Sequence, residues 1–245
     1  MDKLLYTVSS NEPVARDTFR MVLENPSSQK MAPGQFVDVS LEGRYLRRPI
    51  SVCESWQGGI VLMYKAVGEG TRQMSSMRKG ESLELLTGLG HGFDISACRS
   101  AALLVGGGLG SAPMYNLCRE LLSEGKYVSV VLGFNTQEEI VLEEDFRRIG
   151  VEPAFATLDG SRGVKGFVTD AIEALKPGYD FFYTCGPLPM MKALCATLEG
   201  PGELSLEQRM GCGAGYCYCC STRTLKGAMR VCKDGPVFKR EDVIW

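Results

Sequence analysis

The residues best suited to chemistry are five cysteines near the end of the chain. The stretch from Met210 to Cys220 reads MGCGAGYCYCC, and another cysteine follows at Cys232. Cys212, Cys217, Cys220 and Cys232 have the spacing C-x4-C-x2-C-x11-C, and its first part is the ligand spacing of a plant-type [2Fe-2S] cluster. The glycines between the first two cysteines allow backbone amides to turn toward the sulfurs. The spacing therefore predicts an iron–sulfur centre.

Two other thiol sites compete with this prediction. A four-cysteine zinc site is the first alternative, although zinc knuckles more often pair two short cysteine hooks across a longer insert. A disulfide scaffold is disfavoured because the cysteines crowd one end of a mid-sized chain that shows no secretory leader. The cysteines elsewhere are expected to be small packing residues; they include Cys53, Cys98, Cys118 and Cys195.

Composition excludes several classes of function. With 245 residues, 44% of them apolar, the chain is long enough for two domains and a small appendage. The net charge is −2 and the charges are dispersed, which argues against a nucleic-acid partner or a polybasic membrane anchor. No apolar run is long enough to cross a bilayer, so we expect a cytoplasmic protein. His91, the only histidine, is interpreted as a surface loop residue in a crossing between domains.

The elements that must position the cysteines change character along the chain. Residues 1–97 show short alternating runs, such as Phe19, Met21 and Leu23, separated by Pro-Gly and Gly-Gly turns, with one brief helix ending near Met77. This pattern predicts a small antiparallel β-barrel. Residues 98–200 alternate strands with helices, including a helix over 138–148, and predict an α/β domain with a parallel sheet. Residues 201–245 show too little apolar periodicity for a core of their own and are expected to fold around the metal centre.

Two short motifs in the barrel suggest a site for a phosphate and a flat ring. Arg48, Pro49, Ile50 and Ser51 open a predicted strand, where an arginine can bind phosphate and the strand backbone can meet the polar edge of a ring. Gly70 and Thr71 open the brief helix, whose free amides can face an anion. Each motif alone is also typical of a solvated arginine or a plain helix cap, but together they make a pyrophosphate clamp plausible.

The α/β domain contains a glycine run suited to a dinucleotide. Gly107, Gly108 and Gly110 follow its first strand, where the backbone can approach a phosphate closely. Because Ser111 occupies the last position of the dinucleotide fingerprint, a tight turn without a ligand remains an alternative. The loop over 133–139 has no arginine or lysine for a 2′-phosphate, which favours NADH over NADPH. Cys185, Gly186 and Pro187 end the last parallel strand, at the sheet edge where ligands bind.

Together these motifs resemble those of flavoprotein reductases of the ferredoxin-NADP reductase type, and within them the electron transfer subunits of class 1B dihydroorotate dehydrogenases. The resemblance covers essentially the whole chain and is most specific at 209–213, 230–238 and 243–245. It implies a multidomain α+β protein with a FAD-binding barrel (1–97), an NAD-binding α/β domain (98–200) and a [2Fe-2S] segment (201–245).

The resemblance also assigns roles to the motifs. It implies that FAD contacts Arg48, Pro49, Ile50, Ser51, Met63, Tyr64, Lys65, Gly70 and Thr71. It implies that NAD(H) contacts Gly107, Gly108, Gly110, Gly186 and Pro187, with Cys185 as a catalytic residue beside the nicotinamide and flavin rings. It implies that Cys212, Cys217, Cys220 and Cys232 hold the cluster, which leaves Cys219 as a spare thiol.

The resemblance implies a partner as well. A separate FMN-containing catalytic subunit would oxidise dihydroorotate, in a heterotetramer that serves pyrimidine biosynthesis, and electrons would pass through [2Fe-2S] and FAD to NAD+. The scarcity of candidate bases here fits that division of labour. Two alternatives are a related FAD/[2Fe-2S] subunit of a ferredoxin:NADP oxidoreductase or hydrogenase, and, from another class, a binding module with a structural zinc knot.

Overall fold

A closed six-stranded barrel forms the first part of the chain in the computed structural model, which describes residues 1–245. Its strands are β1 (Asp2–Ala15), β2 (Thr18–Glu24), β3 (Phe36–Val39), β4 (Arg48–Trp56), β5 (Gly59–Lys65) and β6 (Ser82–Leu89), in the order β1-β2-β5-β4-β3-β6. All pairings are antiparallel, and helix α1 (Glu69–Ser75) follows β5. The predicted barrel with one brief helix is confirmed.

The barrel closes because alternate side chains of its strands share one apolar core. Met21 and Leu23 on β2 and Leu83 and Leu85 on β6 are all buried, whereas their neighbours along each strand are more exposed. This inside–outside alternation is what a closed barrel requires.

The second part is a seven-stranded sheet in the order β10-β9-β8-β7-β11-β12-β15. Its strands are β7 (Ala101–Gly107), β8 (Tyr127–Phe134), β9 (Ala154–Thr157), β10 (Val164–Lys165), β11 (Phe181–Cys185), β12 (Gly202–Ser205) and β15 (Val237–Lys239). The helices are α2 (Ser111–Ser123), α3 (Glu143–Arg148), α4 (Val168–Leu175) and α5 (Leu188–Thr197). Every pairing is parallel except that of β12 with β15. The predicted α/β domain with a parallel sheet is confirmed.

One predicted helix is shorter than expected. A helix was expected over 138–148, but a single 3-10 turn spans Gln137–Glu139 and α3 begins only at Glu143. Leu142 has a positive φ of 67°, which an α-helix does not accommodate. Val141 and Leu142 lie in this irregular segment and their side chains are buried. Tertiary packing therefore determines the backbone here, although the apolar residues have a helical spacing.

The C-terminal segment has more apolar packing than its sequence suggested. It adds β12 and β15 to the sheet and forms a hairpin of β13 (Ser221–Thr224) and β14 (Gly227–Arg230). Its buried Leu204, Val231 and Phe238 pack with Phe36 of the barrel and Met191 of α5. The segment thus has no separate core of its own, in agreement with the prediction, but it shares a core with both neighbouring domains.

His91 lies in the connection between the barrel and the sheet, as its sequence context indicated. It is exposed, and its backbone N–H donates to the carbonyl of Gly235 at 2.6 Å. The connection is thereby tied to the C-terminal segment by the backbone rather than by the imidazole. No helix in the structure combines the length and the apolar character needed to cross a membrane.

Candidate functional site

A cavity of about 300 Å³ opens where the barrel, the sheet and the C-terminal segment meet, and we call it the flavin cavity. The sequence-predicted residues on its wall are Pro49, Ile50, Ser51, Met63, Tyr64, Lys65 and Thr71. Strands β4 and β5 are neighbours in the barrel and α1 follows β5, so two separated motifs reach one site. This arrangement confirms that the barrel motifs converge in space.

Arg48 and Gly70 lie beside this wall and contact each other. A Cβ atom on Gly70 would lie 2.6 Å from Nε of Arg48, so the glycine leaves room for the guanidinium over the start of α1. The flavin cavity thus combines apolar side chains, strand backbone and one arginine, and this donor set fits a flat ring attached to a pyrophosphate.

A second cavity of about 430 Å³ lies at the carboxyl edge of the parallel strands, and we call it the nucleotide cavity. Gly107, Gly108 and Pro187 line it, as do Phe134 at the end of β8 and Asn135 in the loop after it. Ligands of open α/β sheets bind at this edge. Lys65 lines both cavities, which places the two sites side by side.

The glycine loop after β7 packs directly on the turn after β11. A Cβ atom at Gly110 would overlap the carbonyl oxygen of Cys185, and one at Gly107 would lie 2.6 Å from Sδ of Met190. Gly186 has a positive φ of 153° and also abuts the backbone of Gly107. The predicted nucleotide motifs therefore form one backbone surface, even though 75 or more residues separate them in the chain.

Cys185 itself is buried beneath this surface. Its side chain is 1% exposed, and it lines neither cavity. Burial, followed by the nearby Glu207 carboxylate, raises the pKa of the Cys185 thiol to about 12. At neutral pH the group is therefore a neutral thiol and not a thiolate nucleophile.

The cysteines of the C-terminal segment form two pairs. The thiol of Cys212 neighbours that of Cys217, and the thiol of Cys220 neighbours that of Cys232. The second pair is buried, whereas Cys217 and Cys219 are exposed. Cys220 therefore shares its surroundings with Cys232, while its neighbour Cys219 is directed toward solvent.

Backbone amides surround the sulfur of Cys212. The N–H groups of Tyr216 and Cys217 donate to Sγ of Cys212 at 3.3 and 3.4 Å. Partial burial acts to raise the pKa of this thiol, but amides including that of Ala214 outweigh it and lower the pKa to about 6. Gly213 and Gly215 have positive φ values of 62° and 84°, which turn the loop around the sulfur as the sequence predicted.

The pairing of the thiols bears on the choice of metal. Structural zinc needs four ligands on one ion. Two cysteine pairs suit a cluster with two irons, each held by two protein sulfurs. The residues present therefore fit a [2Fe-2S] cluster.

Several residues on the cavity walls were not found from the sequence. Ser205, Leu206, Glu207, Gln208, Met210 and Pro236 of the C-terminal segment line the flavin cavity, together with Leu109. Burial raises the pKa of the Glu207 carboxyl. Ser205 ends the short strand β12 and residues 206–208 directly follow it, so recognising that strand would have placed them at the same sheet edge as Cys185.

Comparisons with known proteins agree with this architecture. The model of the family described as the iron-sulfur cluster binding domain of dihydroorotate dehydrogenase B matches residues 207–244. The model of the oxidoreductase NAD-binding domain matches residues 104–196.

Solved structures show where the fold has been seen before. A chain from the structure of an NADH-dependent reduced ferredoxin-NADP oxidoreductase is similar over 99% of this chain and 90% of its own, with a TM-score of 0.89 and 30% identity. Phthalate dioxygenase reductase shares the fold with a TM-score of 0.65 and 18% identity, over 91% of this chain and 87% of its own. The predicted reductase fold is thus confirmed.

Sequence relatives are similar over nearly their whole length. The dihydroorotate dehydrogenase B (NAD(+)) electron transfer subunit of Fusobacterium nucleatum is 41% identical over 97% of this chain and 96% of its own. The protein of the same name from a Geobacillus species is 42% identical over 97% of each chain. This chain belongs to the family of dihydroorotate dehydrogenase B electron transfer subunits.

Proposed function

We propose that this chain accepts electrons from a partner subunit that oxidises dihydroorotate, and that it passes them on to NAD+ as a step of pyrimidine biosynthesis. The observation that carries the proposal is the place of the flavin cavity between the other two sites. It shares Lys65 with the nucleotide cavity and is closed on another side by Met210, two residues before Cys212. A chain with this layout is suited to link a one-electron centre to a pyridine nucleotide.

The proposal assigns the cofactors by segment. Residues 1–97 bind FAD through the wall of the flavin cavity, with Arg48 and the start of α1 toward its pyrophosphate. Residues 98–200 bind NAD(H) on the surface formed by Gly107, Gly108, Gly110, Gly186 and Pro187. Residues 201–245 hold a [2Fe-2S] cluster through Cys212, Cys217, Cys220 and Cys232. A flavin exchanges a hydride or single electrons, whereas an iron–sulfur cluster exchanges single electrons only.

The side chains contribute mainly by positioning. The buried neutral thiol of Cys185 supports the turn on which the nicotinamide end of the nucleotide would rest, and we propose that Cys185 contributes to catalysis by positioning this turn. The amides around Cys212 stabilise negative charge on its sulfur. The assembly proposed is a heterotetramer with an FMN-containing catalytic subunit. It would operate in the cytoplasm, where thiols stay reduced.

The test is to purify the chain with and without the dihydroorotate-oxidising subunit. We expect the complex to reduce NAD+ with dihydroorotate, and the isolated chain to show a flavin and iron–sulfur spectrum but no such activity. A colourless chain with one bound zinc would contradict the proposal. Reduction of NAD+ that is no faster in the complex than in the chain alone would contradict the partner assignment.

We further predict that the surface beside the cluster binds the partner. Electrons must enter from the partner by a short path, and Tyr216 in the cysteine loop is 78% exposed, which is typical of an aromatic interface residue. Tyr216→Glu should weaken assembly by about tenfold or more, measured by sedimentation or calorimetric titration. Tyr127→Glu is the matched control, because Tyr127 is 80% exposed at the start of β8. Equal effects of the two substitutions would place the interface elsewhere.

A further inference from the structure

The nucleotide cavity contains one cation and one anion, and they are bound to each other. Of the 16 residues that line it, only Lys65 carries a positive charge and only Glu139 a negative one. Nζ of Lys65 lies 3.0 Å from Oε1 of Glu139. The loop over 133–139 has no lysine or arginine of its own, so the cavity receives its cation from strand β5 of the barrel.

Glu139 is held firmly in this position. Its side chain is 13% exposed, and its second oxygen, Oε2, accepts hydrogen bonds from Nδ2 of Asn135 at 2.8 Å and from the Asn135 backbone N–H at 3.3 Å. Burial opposes ionisation, but the hydrogen bonds from Lys65 and Asn135 outweigh it and lower the pKa of the carboxyl. Glu139 is therefore a fixed negative charge at neutral pH.

The simplest explanation of the Lys65–Glu139 pair is that it only holds the loop over 133–139 against the barrel. The adjacent Glu138 is an example of an ion pair with that role alone. Glu138 pairs with Arg16 in the turn after β1, but it lies outside the nucleotide cavity. The Glu139 carboxylate differs because it lines that cavity and neutralises the one cation there. An anion that enters the cavity would be repelled by the Glu139 carboxylate. It would gain little from Lys65, because the charge of Lys65 is already balanced by Glu139.

We propose that Glu139 is a specificity-determining residue that excludes the phosphorylated pyridine nucleotide by keeping Lys65 in an ion pair. An extra phosphate near this pair would have to displace the Glu139 carboxylate from Lys65 and accept repulsion from it. A nucleotide that carries ribose hydroxyls there meets a hydrogen-bond acceptor instead. The inference rests on the proposed placement of the nucleotide in this cavity.

The experiment compares NADH and NADPH binding to the flavin- and cluster-loaded complex by calorimetric titration, with the complex reduced beforehand so that no hydride transfer accompanies binding. Glu139→Gln keeps the shape of the side chain and releases Lys65. We expect it to raise NADPH affinity about ten- to a hundredfold, the range for one hydrogen bond to a charged group, with a much smaller change for NADH. Glu138→Gln is the matched control and should leave the ratio of the two affinities unchanged.

The double variant Lys65→Met/Glu139→Gln separates the roles of the two charges. We expect it to lose most of the gained NADPH affinity, because no cation then remains on the cavity wall. An unchanged affinity ratio in Glu139→Gln, or a gain that survives in the double variant, would overturn the inference. Wild-type protein that binds neither nucleotide would instead refute the proposed nucleotide site, so the two failures are distinguishable.

Discussion

Cys220→Ser is expected to abolish dihydroorotate-dependent reduction of NAD+ by the complex. Cys220 is 2% exposed and lies beside Cys232, whose N–H donates to Sγ of Cys220 at 3.4 Å. Serine supplies no thiolate, so one iron would lose half of its protein ligands. Substitution of a residue that only supports the ligands of a metal site typically lowers activity by about ten- to a hundredfold. Loss of a ligand itself should have a larger effect, so we expect activity to fall by more than about a hundredfold. Iron content and visible absorption report the loss directly.

Two comparisons give this prediction its specificity. Cys219→Ser should keep the cluster and the activity, because the Cys219 side chain is exposed whereas that of its chain neighbour Cys220 is buried. NADH-dependent reduction of a dye by the flavin should survive in Cys220→Ser, because the flavin and nucleotide cavities contain no cysteine. Cluster loss in Cys219→Ser with retention in Cys220→Ser would reverse the assignment of the third ligand.

The C-terminal segment should remain folded in Cys220→Ser. Leu204, Val231 and Phe238 pack against Phe36 and Met191 of the neighbouring domains, and none of these side chains is a proposed cluster ligand. The sequence suggested metal-dependent folding because residues 201–245 contain few apolar positions at a regular spacing. Their partners lie in distant parts of the chain, and local periodicity carries no information about them.

Local patterns predicted the elements that form from nearby residues. Met114, Leu117, Cys118 and Leu121 are buried on α2, as their helical spacing indicated. The same reasoning failed over 138–148. Apolar residues at a similar spacing are buried there too, but they belong to an irregular segment in which Leu142 has a left-handed backbone conformation. The spacing of apolar residues therefore indicates which side chains are buried, but it does not determine the backbone conformation of the segment that carries them.

The binding site was predictable only in part, for the same reason. Short motifs located Arg48, Thr71 and the glycine loop, since each sits at the end of an element that the sequence reveals. The pair of Lys65 and Glu139 joins residues 74 positions apart on two domains, so only the folded chain shows it. The loop over 133–139 contains no cation of its own, and its sequence did not show that the barrel supplies a lysine to the same cavity.

Gly110→Ala is expected to cost most of the affinity for NADH while leaving FAD and the cluster in place. The added methyl group would overlap the carbonyl oxygen of Cys185, which belongs to backbone and cannot move aside as a flexible side chain would. The glycine loop and the turn at Gly186 must therefore separate. Because a displacement of about 1 Å at a binding surface can cost on the order of a hundredfold, we expect a loss of that size in the specificity constant for NADH-dependent dye reduction.

Gly178→Ala is the control for this substitution. A Cβ atom at Gly178 would have no atom within 4 Å, and Gly178 precedes β11 at the opposite end from Cys185. It should therefore leave NADH kinetics unchanged. Unchanged kinetics in Gly110→Ala would show that the glycine loop does not hold the nucleotide. Loss of FAD in the same variant would show instead that Leu109, which lines the flavin cavity, makes this loop a part of the flavin site.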